Sequence, residues 1–141
     1  MIYVLDTNVL SELMRPEPHA AVFDWVAAQP RAALYTTSLS RGEILAGIAI
    51  MPDGRRRAAL AESAAAMFGE EFRGRILPFD AEAATAYAEF FAIRRQRGRP
   101  IETTDLIVAA TAHAHDAAVV TRDTGGFEGC GLTLVNPWEA A

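Results

Sequence analysis

The stretch IYVLDTNVLSEL, residues 2–13, decides how the rest of the chain is read. Ile2 to Leu5 form an unbroken apolar run, the pattern of a strand covered on both faces. Asp6 ends it. After Thr7 and Asn8 a new apolar rhythm begins at Val9, Leu10, Leu13 and Met14, spaced as on a helix. A carboxylate at the inner end of a buried strand needs a reason, because buried charge is costly unless it is paired.

Outward from this stretch the chain alternates. TNVLSELMR (7–15) reads as a helix, and Pro18 and Pro30 bracket a second, HAAVFDWVAAQ (19–29). ALYTTS (33–38) reads as a strand and SRGEILAGIAIM (40–51) as a helix. PDG (52–54) is a turn, and an Ala-rich helix is expected from Arg55 to Phe72. RILPF (75–79) reads as a short strand. Asp80 caps a long helix over 81–98, stopped by Gly98 and Pro100. TTDLIVAATAHAH (103–115) is the last helix. AAVVTRD (117–123) and LTLVN (132–136) are the last strands, split by the Gly-rich loop TGGFEGCG (124–131). No repeat or linker interrupts this order, so one domain is expected over residues 1–141. Its class is α/β, with a central parallel sheet and helices on both faces.

Bulk composition narrows the function. Of the 141 residues, 51% are hydrophobic and 22% charged, a globular rather than a disordered balance. No apolar run approaches the ~18 residues that span a bilayer. The first residues carry no basic region or cleavage site, so no signal peptide is expected. The single Cys130 cannot form an internal disulfide, which fits a cytoplasmic protein, and it reads as a small buried residue. Net charge is −5, so no global positive field advertises nucleic acid. All 13 basic residues are Arg. The absence of Lys excludes P-loop, Schiff-base and receiver-domain phosphorylation chemistry.

In a parallel sheet, ligands bind beyond the carboxyl ends of the strands. Asp6 stands at such an end, and Asp123 follows the run AAVVT likewise. Glu43 shares a helix face with Ala46, Gly47 and Ile50, and Asp105 one with Val108, Ala109 and Ala112, so both acids share apolar packing faces near helix N-termini. Helix N-termini meet strand C-termini at one edge of the sheet. Four acids, Asp6, Glu43, Asp105 and Asp123, are therefore candidates to converge there. Crowded carboxylates need a compensating cation, and an all-oxygen set suits Mg²⁺ or Mn²⁺ better than zinc. The chemistry such a site favours is phosphoryl transfer by metal-activated water. Each acid also has a plain structural reading. Ser40-x-x-Glu43 is a capping box, Asp6 an N-cap, Asp105 a first-turn acid and Asp123 a turn residue.

Other motifs read more simply. His113 and His115 are two apart on a helix, point to different faces and make no metal pair. Trp25, Trp138, Tyr87, Phe90 and Phe91 read as core or dimer contacts rather than a base-stacking platform. The basic runs Arg55-Arg56-Arg57 and Arg94-Arg95-x-Arg97-x-Arg99 are either solvated helix faces or a phosphate track.

Taken together, IYVLDTNVLSEL, SLSRGEILAGI, TTDLIVAATAHAH and VVTRDTGGFEGCGLTLVNPW resemble the PIN-domain family, and within it the VapC/FitB toxins of bacterial toxin–antitoxin pairs. The resemblance covers essentially the whole chain. It implies a three-layer α/β/α domain with a central parallel sheet, and Mg²⁺- or Mn²⁺-dependent endoribonuclease activity leaving 5′-phosphate and 3′-hydroxyl ends. It places the family's four acids on Asp6, Glu43, Asp105 and Asp123, as catalytic and metal-holding residues. Thr7, Asn8, Ser38 and Thr121 become candidates to orient them, and Arg94, Arg95, Arg97 and Arg99 to hold RNA. It further implies a homodimer, a cognate VapB/FitA-like antitoxin, and operator DNA bound through that antitoxin. One position departs from the pattern: many relatives carry an acid just before the Phe of the last loop, where this chain has Gly126 before Phe127. The competing reading is a non-catalytic module that binds antitoxin or operator DNA.

Overall fold

The computed structural model describes residues 1–99 and 101–139; the helix stop expected at Pro100 lies outside them. Strand β1 (Tyr3–Leu5) is central, flanked by β2 (Leu34–Thr37) and β4 (Ala118–Val120), with β3 (Ile76–Leu77) and β5 (Leu134–Val135) outermost. All four pairings are parallel, in the order β3-β2-β1-β4-β5. Around the sheet lie α1 (Thr7–Leu13), α2 (Ala20–Ala28), α3 (Ser38–Ala49), α4 (Arg55–Ala66), α5 (Ala81–Gln96) and α6 (Thr103–Ala114). Among the described residues, no helix is long and apolar enough to cross a membrane.

Strand alternation sorts the core into two halves. Successive side chains leave a strand on opposite faces. Val4 and Val119 point into one half with Phe90, Leu106, Val108 and Ala109 of α5 and α6. Leu5 and Val120 point into the other with Val9, Leu10, Val22, Ala64 and Phe68. Both halves are dry, with Val4, Leu5, Val119 and Val120 all at 0% exposure. Apolar burial on both faces of the sheet is the main stabilising force.

Four expectations change on folding. The strands are shorter, β4 ending at Val120 rather than Asp123, although Thr121 N still donates to Val135 O at 2.9 Å. Beyond it the chain turns, which frees Thr121 and Asp123 to serve the site. The Ala-rich helix stops at Ala66 and widens into a π-turn over Met67–Glu71. The bond from Phe72 N to Met67 O, 2.9 Å, lets both Phe68 and Phe72 reach the core. Helix α3 begins at Ser38, capped by Thr37, whose Oγ1 accepts from Ser40 N at 3.1 Å. Ser40 is therefore no cap, and the Ser40–Glu43 capping box does not form. Lastly, α3 packs through Ser40, Ile44 and Ile48, so Glu43, Ala46, Gly47 and Ile50 form its exposed side. The apolar stripe expected to pack Glu43 inward is solvent-facing, with Ile50 86% exposed.

Two connections hold the rim in shape. Buried Glu12 accepts from His19 N at 3.0 Å and fixes the turn between α1 and α2. Gly98, at φ +66°, ends α5 in the left-handed region that glycine adopts without strain.

Candidate active site

Asp6 is the first residue past β1, yet its N–H still donates to Val120 O at 2.9 Å. That bond holds the residue in the sheet, where it is 5% exposed. Its Oδ1 accepts from Thr7 N and its Oδ2 from the Thr121 hydroxyl, both at 2.9 Å. Thr121, fully buried, accepts in turn from Asn8 Nδ2 and from Asp123 N, both at 3.1 Å. The Asn8 Oδ1 atom takes Arg122 N at 3.2 Å. One asparagine thus stitches the start of α1 to the turn after β4.

A second chain of hydroxyls reaches the other side. Thr37 Oγ1 lies 3.2 Å from Ser40 Oγ, which lies 2.9 Å from Thr7 Oγ1. The Thr7 hydroxyl donates to Glu43 Oε1 at 2.7 Å. Glu43 is exposed but tethered. Asp105, half-buried in the first turn of α6, comes in from the far helix layer. Asp123 Oδ1 accepts from Gly126 N at 3.2 Å and so caps the 3₁₀ turn Thr124–Phe127. The cap and turn readings of Asp6 and Asp123 both hold, and the same bonds fix both oxygens of Asp6 and one of Asp123 at the rim.

Gly126 sits where the carboxylates meet. A Cβ there would stand 2.9 Å from Asp123 Oδ2 and 3.3 Å from Asp105 Oδ2. The two carboxylates therefore flank one point that only a glycine leaves open. The acids feel one another: Asp105 is pushed up to about 6, first by burial, then by Asp6, Asp123, Glu102 and Glu43. Asp6 is also raised, chiefly by burial, with its bonds from Thr7 and Thr121 pulling the other way and Glu43 and Asp123 adding repulsion. None of the four acids makes an ion pair among the described residues. Nor, among them, do three His, Cys, Asp or Glu side chains converge into a ready-made metal cage. The donor set still fits a hard divalent cation. It is all oxygen, and a cation would relieve the repulsion that raises Asp105.

Of the residues expected to orient the acids, Thr7, Asn8 and Thr121 are in the network. Ser38 is not: exposed at the start of α3, it faces a groove with Arg41, Leu45 and Phe68. Ser40 takes that role, two residues on and 0% exposed. Its spacing of three from both Thr37 and Glu43 was the available signal.

The Arg cluster divides. Arg94 is 5% exposed, its Nε donating to Arg99 O at 2.6 Å and its Nη1 to Glu128 O. It is a structural clamp, not a surface contact for RNA. Arg95, Arg97 and Arg99 remain exposed, with Arg99 Nη2 3.7 Å from Glu128 Oε2. His113 packs edge-on to Phe90, and His115 Nδ1 lies 3.0 Å from Thr111 O, so both are ordinary helix residues. Cys130 is buried, and burial raises its thiol against the opposing pull of Arg94 and Arg97. Trp25 packs edge-on to Tyr3, while Phe79, Tyr87 and Phe91 form a partly exposed aromatic ridge.

A parallel five-stranded sheet between two helical layers, with four acids drawn to one end, defines a three-layer α/β/α domain with an acidic rim. The PIN-domain family model matches residues 3–129. The chain is 46% identical over 137 residues to the plasmid stability protein StbB of Pseudomonas syringae pv. tomato, covering 97% of this chain and 99% of that one. It is 43% identical over 138 residues to VapC ribonuclease Y4jK of Sinorhizobium fredii, covering 98% and 99%. The solved structure of FitAB bound to an IR36 DNA fragment superposes with a TM-score of 0.93 at 34% identity, over 99% of this chain and 98% of that one. The chain belongs to the PIN-domain family, in its VapC/FitB branch.

Proposed function

We propose that this protein is a metal-dependent endoribonuclease, the toxin of a toxin–antitoxin pair. What carries the reading is the rim itself: Asp6 and Asp105 are raised by burial and by repulsion from neighbouring acids, with no ion pair among the described residues to compensate them. The ribonuclease name of a relative 43% identical along its whole length supports the same chemistry. Asp6, Asp105, Asp123 and Glu43 would hold Mg²⁺ or Mn²⁺, which when bound supplies an activated water and offsets charge developing on the phosphate. The chain's own contribution is placement. Thr7 N and Thr121 fix both oxygens of Asp6, Thr7 and Ser40 steer Glu43, and Gly126 keeps the space between Asp105 and Asp123 clear.

RNA cleavage is expected to stop in EDTA and to return with Mg²⁺ or Mn²⁺. Asp6→Asn should lose both cleavage and calorimetric Mn²⁺ binding. Cleavage that persists in EDTA, or wild-type cleavage in Asp6→Asn, would rule the reading out. A solved relative is a FitAB complex on DNA. By that likeness, a VapB/FitA-like antitoxin restrains this chain in the cytoplasm and carries it to operator DNA. We also propose a homodimer. Light scattering should give the mass of two chains; a single-chain mass on the order of tens of micromolar protein contradicts it.

RNA must approach a protein of net charge −5, so phosphates need local cations. Arg95 is in the last turn of α5, and Arg97 and Arg99 past it lie against the loop that follows Asp123. Arg97→Gln with Arg99→Gln should flatten the salt dependence of RNA binding by about 0.7 in log–log slope per lost contact. Mn²⁺ affinity should stay the same. An unchanged slope returns this cluster to a solvated helix end.

A further inference from the structure

Arg122 lies between two site residues and does neither of their jobs. Thr121, before it, is fully buried and donates to Asp6; Asp123, after it, caps the turn beside Gly126. Its Cα is one peptide, ~3.8 Å, from that of Asp123. The side chain is exposed and lies over the ring of Trp138 with Cζ 5.0 Å from the centroid. Its backbone is pinned from both sides: Arg122 N donates to Asn8 Oδ1 at 3.2 Å, and Asn136 Nδ2 lies 3.4 Å from Arg122 O. Trp138 is fixed in turn, its N–H donating to Asn136 Oδ1 at 3.0 Å. Arg122 makes no ion pair among the described residues, so its charge is not consumed within the protein.

An exposed arginine usually loses much rotamer freedom when it binds. Stacking on a fixed aromatic ring removes part of that cost in advance and leaves the guanidinium edge free to donate. We propose that Arg122, preset on Trp138, is a binding residue for a substrate phosphate next to the scissile one. This rests on the nuclease reading, since it names how that site holds its RNA. A planar donor set suits a phosphate, which it can grip with two parallel bonds. Its place just past β4 makes it the chain neighbour of Asp123.

The test is fluorescence anisotropy of a short single-stranded RNA on the full-length protein in EDTA, across a series of KCl concentrations. Arg122→Met keeps an unbranched chain on Trp138 and removes the charge. It should weaken RNA binding about 3- to 10-fold and lower the log–log salt slope by about 0.7. Calorimetric Mn²⁺ binding and the thermal midpoint should not move. Arg122→Lys should recover the slope but only part of the affinity, because it keeps charge without the planar stack. RNA bound by the wild type with Arg122→Met matching it in slope and affinity overturns the proposal and leaves the nuclease reading intact. Wild type that binds no RNA in EDTA overturns the proposal, and wild type that also cleaves none with added Mg²⁺ overturns the nuclease reading with it. If Arg122→Met falls in thermal midpoint, the Lys variant decides: a slope as low as in Met assigns Arg122 to packing alone.

Discussion

Asp105→Asn is expected to cost RNA cleavage three orders of magnitude or more, about 4 kcal/mol of barrier, while making the metal-free protein more stable. Both effects follow from the same geometry. Asp105 is half-buried at the head of α6 and is held up to about 6 from an ordinary 3.8 by burial and by Asp6, Asp123, Glu102 and Glu43. Between these values the folded protein keeps a proton that the unfolded chain has released. Stability therefore falls as pH rises from about 4 to 6 and stays lost above that. Asparagine cannot ionise, so the variant escapes this loss. The shift, discounted for the solvent that still reaches the carboxyl, gives the variant on the order of 1–2 kcal/mol at neutral pH.

Urea melts in EDTA at pH 4.5 and 7.5 measure this directly. The difference between wild type and variant isolates Asp105 from the other acids. It should be small at pH 4.5 and favour the variant at pH 7.5. A variant less stable than wild type at pH 7.5 would mean that the carboxylate is paired in the fold, and the repulsive rim would be the wrong description. Added Mn²⁺ should narrow the gap, because a ligand that binds only the folded wild type stabilises it by mass action.

Much of this site was legible because it depends on chain order. Apolar runs ending in Asp6, and in Thr121 ahead of Asp123, mark strand ends, and a parallel sheet sends all strand ends to one edge. Asp105 was legible because Val108, Ala109 and Ala112 share its face and are all buried. Glu43 was not legible from its stripe, because that stripe faces solvent. Periodicity shows which residues share a face, not whether that face is covered. The serine was misplaced for a local reason. Ser38 and Ser40 are both plausible near a helix start, and only the cap by Thr37 decides which one turns inward. The strands are shorter than their apolar runs because pairing fades at their ends: Thr121 N still bonds Val135 O one residue past β4. The buried arginine was invisible, because nothing in RRQRGR separates a clamped guanidinium from a solvated one.

That arginine makes the second large effect. Arg94→Gln is expected to destabilise the fold by about 2–4 kcal/mol, through the loss of charged hydrogen bonds that leaves two carbonyl acceptors unserved. The guanidinium bridges Arg99 O, just past the end of α5, to Glu128 O, just past the turn that Asp123 caps. It ties the longest helix to the loop that holds Gly126 against the carboxylates. A change there should reach the acids as well as the core: cleavage should fall even at temperatures where the variant remains folded. Cys130 reports on the same loss. Arg94 lowers its thiol against burial, so the variant's thiol should ionise at higher pH and react more slowly with an alkylating probe while folded. Urea melts of Arg94→Gln and Arg95→Gln make the contrast, because Arg95 is exposed and its replacement should leave the midpoint where it is. If instead Arg94→Gln keeps wild-type stability and loses salt-dependent RNA affinity, the guanidinium is facing phosphate rather than the two carbonyls. A clamp and a phosphate contact make opposite demands on one side chain. The first needs its donors spent inside the protein, and the second needs them free.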